Sequence, residues 1–124
     1  MSTKLHDLPS VAVLAASVVP KVVTATETGS TVDLLQADGA GFAILSVGAI
    51  ASGTTVGGKV QESADGSTWS DITGGAFDDI VAANGLTSVR FERAERYVRS
   101  IVTIAGGSPS AAVCAVVGSQ MKTF

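Results

Sequence analysis

The last third of the chain constrains its fold most. Residues 95–105 read Glu-Arg-Tyr-Val-Arg-Ser-Ile-Val-Thr-Ile-Ala, and β-branched residues at this density favour a pleated, half-buried backbone. A Gly106-Gly107-Ser108-Pro109 break follows, and residues 110–118 are again apolar and strand-forming. Two such runs around a turn predict an antiparallel hairpin. Alternation sorts their faces. In the first run Val98, Ser100, Val102 and Ile104 share one side, and Tyr97, Arg99, Ile101 and Thr103 share the other. That is a strand with one dry face and one mixed face. The second run has small apolar residues on both sides, Ala111, Val113, Ala115 and Val117 against Ala112, Cys114 and Val116. A strand apolar on both faces is covered on both, by its own fold or by a neighbour.

The same signal recurs upstream. Strands are predicted at residues 21–26, 31–36, 42–51, 56–63, 68–72, 77–81 and 86–92, separated by Gly, Ser, Asp and Asn turns. Asp65-Gly66 is a strong hairpin signal, and a turn there sets Val60 beside Ile72 and Gln61 beside Asp71. Eight or nine strands without a long helix predict an all-β fold, an antiparallel β-sandwich or open barrel. Residues 1–20 are expected to form an extended N-terminal arm, and residues 21–124 the sandwich domain. Within the arm, residues 11–19 read as a short helix or an extended apolar segment, ended by Pro20. Its Val11, Val13, Leu14, Val18 and Val19 are candidate interface residues, placed to dock on a neighbouring subunit or to cover their own sandwich. Lys4, this run and Val23-Thr24-Ala25 imitate a secretory signal, but Asp7 and Pro9 before it and Pro20-Lys21 after it argue against cleavage.

Composition narrows the function. Only 15% of the 124 residues are charged while 46% are hydrophobic, and a surface so poor in charge is expected to be covered by other copies or by a partner. A net charge of −3 speaks against nucleic acid, which selects a basic face. No apolar run reaches the length of a membrane-spanning helix. One cysteine, Cys114, makes no intrachain disulfide, and one histidine, His6, builds no histidine-rich metal site. Neither stands in a nucleophile–base pattern. Asp78-Asp79 is the only adjacent carboxylate pair, and strand alternation is expected to send its members to opposite faces. Glu62, Asp65 and Asp71 gather around the hairpin without the ligand spacing of a calcium loop. We therefore expect no catalytic residue, cofactor or metal, and no enzyme. Arg90, Arg93, Arg96 and Arg99 recur every third residue and are expected to pair with Glu92 and Glu95 at the surface. Trp69 and Tyr97 complete the candidate interface set, as large amphipathic contact residues.

Several strings resemble a family of small proteins encoded in the structural-gene regions of tailed bacteriophages. They are Val32-Asp33-Leu34-Leu35, residues 42–48, residues 59–72 with Gln61-Glu62-Ser63 before Asp65-Gly66 and Trp69, and Arg96-Tyr97-Val98-Arg99 followed by Val102-Thr103 and Gly106. The resemblance covers residues 31–120. It implies a virion protein, and for some members a decoration or cement role. By that resemblance this chain is expected on the outer surface of the phage head, bound to the major capsid protein. Homo-oligomers are expected too, with three copies around a local three-fold favoured. The alternatives are a head–tail connector or tail component, and a carbohydrate-binding β-sandwich module, which needs more exposed aromatics than Trp69, Tyr97 and four Phe supply. Residues 63–69 also resemble the Asp-box hairpin of sialidase-like propellers, but Asp65 and Gly66 touch where that motif keeps a residue between them. One copy makes no propeller.

Overall fold

A computed structural model describes residues 12–35 and 37–121, which form nine strands in two antiparallel sheets. In chain order these are β1 (Ala12–Val23), β2 (Glu27–Thr28), β3 (Val32–Asp33), β4 (Ala37–Ile50), β5 (Thr55–Ser63), β6 (Ser70–Ile80), β7 (Gly85–Phe91), β8 (Tyr97–Ala105) and β9 (Ala111–Met121). The first sheet has the order β1-β9-β4-β7. The second has the order β2-β8-β5-β6, with β3 also paired to β8. The all-β sandwich is as the sequence predicts.

Alternation builds the core between the sheets. β9 turns Ala111, Val113, Ala115 and Val117 inward, and β4 turns Ala43, Leu45 and Val47 toward them. From the other sheet come Val98 and Val102 of β8 and Val56 and Val60 of β5. Leu45, Val56, Val60, Val98, Val102, Ala115 and Val117 are all 0% exposed. Each buried Val or Leu among them contributes on the order of 1.5–3 kcal/mol relative to exposure. Short branched side chains suit the roughly 10 Å gap between facing sheets.

Three sequence expectations need correction. First, β8 and β9 do not form a hairpin. β8 pairs with β2, β3 and β5, whereas β9 pairs with β1 and β4, so the Gly106–Pro109 link arches from one sheet to the other. The dry faces of the two strands meet across the core, which side-by-side pairing would not allow. Gly106 makes the arch possible: at φ 146° a Cβ there would sit 2.7 Å from the Gly53 carbonyl oxygen.

Second, residues 12–20 are neither arm nor helix. They belong to β1, which runs along β9 from Ala12 opposite Gln120 to Val23 opposite Ala111. The boundary drawn between residues 20 and 21 falls inside a strand. Pro20 is tolerated because β1 is an edge strand and Pro20 lies in a register shift, where its missing N–H interrupts no ladder bond. Residues 1–11 lie outside the described residues. Third, the strands expected at 68–72 and 77–81 are one, β6. Its irregular middle carries Gly74 at φ 78°, and its register against β5 shifts between Lys59 and Gln61.

One flank of the sandwich is closed by a polar seam. Ser17, at a bulge in β1, turns inward; its Oγ accepts the Ser100 N–H at 2.9 Å and donates to the Ser30 carbonyl at 2.9 Å. The Ser30 N–H donates to the Ser17 carbonyl, and the Gly29 N–H to the Ser100 carbonyl. Lys21 of β1 and Glu27 of β2 form an ion pair on the same flank. On the other flank the chain passes from β6 directly into β7 through a tight turn with Asn84 at φ 60°, its N–H donated to the Gly48 carbonyl. With both flanks occupied, the outer faces are the broad surfaces left for contact.

Candidate functional site

Register assigns the outer face of the first sheet row by row. Leu14, Gly118, Phe42 and Arg90 form one row across the four strands. Ala16, Val116, Ile44 and Ser88 form the next, then Cys114, Ser46 and Leu86, with Val22 beside Ala112 at the far end. Phe42, Ile44, Cys114 and Val116 are half-buried, while Leu14 is 46%, Val22 65% and Leu86 70% exposed. Phe42 and Leu14 close over Gly118, where a Cβ would meet the Phe42 ring at 2.5 Å and Leu14 Cδ2 at 2.6 Å. Charge on this face is confined to its edge strands, with Arg90 on β7 and Lys21 on β1. Lower on the face lies a shallow depression lined by Pro20, Lys21, Ser46, Gly48, Ala112 and Cys114. This is a broad apolar plate with small residues at its centre.

The outer face of the second sheet is built from mutually satisfied polar groups. The Arg99 guanidinium lies 4.2 Å from the Trp69 ring centre, and its Nε donates to Gln61 Oε1 at 3.0 Å. Gln61 Nε2 donates to Asp71 Oδ1 at 2.8 Å, and Lys59 Nζ to Asp71 Oδ2 at 3.0 Å. These two donors lower the Asp71 pKa. Arg96 grips Asp33 with two hydrogen bonds, at 2.8 and 2.6 Å, and stands 4.9 Å from the Tyr97 ring centre. That grip, aided by the Leu35 N–H, holds the Asp33 carboxyl at about 2. Cations, carboxylates and aromatic rings on this face are largely occupied with one another.

A cleft beside the β5–β6 hairpin gathers Glu62, Asp65 and Glu95 with Ser63, Thr68 and Ser70. Two of its carboxylates hold the protein's own backbone. Glu62 Oε1 accepts the N–H groups of Ala94 and Glu95 at 2.8 and 3.2 Å. Asp65 Oδ1 accepts those of Ser67 and Thr68 at 2.8 and 3.0 Å and the Ser63 hydroxyl at 3.0 Å. The Thr68 and Ser67 amides depress the Asp65 pKa. Among the described residues no group of three or more His, Cys, Asp or Glu is placed to hold a metal ion. Asp78 and Asp79 fall in a bulge opposite Gly57 and are both exposed, so the alternation expected of them is broken there.

The predicted interface residues do not form one surface. Val11 lies outside the described residues, and Val13 is placed by its backbone alone, opposite Ser119. Leu14 is on the apolar plate. Val18 is only 3% exposed and belongs to the core, a correction forced by the strand pairing of β1. Val19 is 56% exposed within a register shift of the edge strand. Trp69 and Tyr97 are half-buried at the opposite sheet. The arginines also part ways. Arg90 keeps a loose 3.9 Å contact with Glu92, and Arg93 donates to the carbonyls of Leu34, Ala37 and Glu95. Sequence reasoning missed Phe42, Ile44 and Leu86 as contact candidates, although the doubly apolar patterns of residues 42–51 and 111–117 were the signal for the first two.

No protein-family model matches the chain, and no curated protein matches it. Among solved structures, it is similar to the SPBc2 prophage-derived protein YomS, with a TM-score of 0.51 at 10% identity over 88% of this chain and 96% of that one. It is also similar to a chain in the structure of infectious bursal disease virus Gx strain, with a TM-score of 0.55 at 8% identity, over 91% of this chain and 34% of that one. At these identities the likeness is one of fold: a β-sandwich also present in a prophage-derived protein and in a virus.

Proposed function

We propose that this chain is a non-catalytic structural protein of a virion, a head decoration protein. It lays the outer face of its first sheet on the major capsid protein and turns its second sheet to solvent. The contrast between the two faces carries this reading. Covering the apolar plate desolvates two edge cations, Arg90 and the already paired Lys21, whereas covering the other face would strip water from a network of at least five charged side chains. The resemblance of residues 31–120 to phage virion proteins supports it, as does a sandwich shared with a prophage-derived protein and a virus chain. Three copies around a local three-fold is the arrangement that seats at capsid symmetry axes favour.

The carbohydrate-binding alternative draws less support, because Arg99 lies over the ring of Trp69 and Arg96 over that of Tyr97, where a sugar would stack. Quantitative mass spectrometry of purified virions tests the proposal. Hundreds of copies per particle are expected. Copies enough for only a single ring would place the protein in a connector or tail and overturn the decoration role.

A further inference from the structure

We propose that, off the head, the apolar plate is covered by a second copy of the chain, packed sheet face to sheet face about a two-fold axis. The inference rests on the reading of this plate as the contact surface and adds what occupies it before assembly.

Charge decides which kind of partner fits. The two cations at the plate's edges, Arg90 and Lys21, already have carboxylate neighbours in Glu92 and Glu27, so the plate offers a charged partner little to pair with. Its complement is another neutral, flat, apolar sheet, and its own copy is such a surface. Size agrees. Four strands at about 4.8 Å spacing, with some nine residues of overlap at about 3.3 Å each, present roughly 600 Å² per copy. Two copies then bury about 1,200 Å², the lower end of a specific interface, which points to a concentration-dependent dimer rather than a permanent one.

Shape agrees as well. Leu86, Ser46 and Cys114 lie in one row across β7, β4 and β9. Leu86 is a knob, 70% exposed on one edge strand. The depression floored by Ser46, Gly48, Ala112 and Cys114 reaches toward the other edge strand, β1, where Pro20 and Lys21 line it. A two-fold axis along the strands, between β9 and β4, carries β7 of one copy over β1 of the other and preserves the row. Leu86 of each copy therefore meets the depression of its partner, the reciprocal contact that an isologous interface requires. The same operation carries Arg90, at the rim, over Leu14 of the other copy. The Lys21 ammonium is held by Glu27, so no unpaired charge is buried.

Sedimentation velocity of the full chain across a wide concentration range tests this. The expected result is a species of twice the 12.4 kDa chain mass that dissociates on dilution. Leu86→Glu, at a site too exposed to threaten folding, should weaken the dimer by at least about tenfold, with an unchanged circular dichroism spectrum. Alkylation of Cys114 should slow where the wild type is dimeric. A monomer at every concentration, a trimer, a dimer indifferent to Leu86→Glu, or concentration-independent alkylation would each overturn the pairing. A monomer that still binds empty heads would overturn the pairing alone. A dimer that never binds heads would instead remove the decoration role.

Discussion

The Ser17 hydroxyl in β1 accepts the backbone N–H of Ser100 in β8 at 2.9 Å, so one side chain ties an edge strand of the first sheet to an interior strand of the second. Ser17 is 2% exposed and Ser100 0%. Ser17→Ala leaves that N–H buried without its partner, at a cost of about 1–3 kcal/mol. Urea denaturation should show a lower midpoint with an unchanged slope. An unchanged midpoint would mean the seam contributes nothing.

Removal of residues 1–20 gives a second check. An arm could be cut away without harm, but this truncation takes most of β1, including buried Ser17 and Val18, and bares β9. We expect a loss beyond the roughly 2–5 kcal/mol of one large core truncation, seen as a protein without a cooperative thermal transition. A truncated chain that melts like the full one would show that β1 is dispensable.

Acid should weaken the fold in a defined window. The Asp33 carboxyl sits at about 2, below its ordinary 3.8, chiefly through Arg96, and Asp65 and Asp71 are also lowered. Carboxylates of this kind contribute their full stability above the unfolded pKa and lose it as pH falls through the folded one. The thermal midpoint should therefore fall between about pH 4 and pH 2, and Asp33→Asn should make that fall shallower while lowering the plateau above it. A fall of equal steepness in the variant would assign the acid sensitivity elsewhere.

Gly66 occupies φ 78° in a loop held by Ser63 Oγ, which accepts the N–H groups of Asp65 and Gly66 at 3.2 and 2.8 Å. A β-branched residue is strained there, and Gly66→Val should cost on the order of 1–3 kcal/mol. Calorimetry with an unchanged midpoint would contradict this.

Much of the fold was legible because strand alternation is local. The dry face of β8, the doubly apolar β9 and the Gln61–Asp71 pair across the hairpin all follow from residues near in sequence. Sheet membership was not legible. A Gly-Gly-Ser-Pro link reads alike whether it closes a hairpin or arches over a core, and the inward faces of both sheets decide which. The arginines show the same limit, since Arg96 finds Asp33 and Arg93 finds Leu34 far along the chain. The contact plate was half legible: β4 and β9 announced it, but Leu86 joins it only through the β4–β7 register.

The central claim, that the first sheet's outer face seats on the head, is tested most directly by matched substitutions on the two faces. Ser46 and Thr103 are both exposed, one on the apolar plate and one on the polar face. Binding of the purified variants to empty heads should separate them. Ser46→Arg buries an unpaired cation and is expected to weaken binding by at least about tenfold, while Thr103→Arg stays within about twofold of wild type. Equal binding by Ser46→Arg and wild type, or a selective loss in Thr103→Arg, would contradict the account.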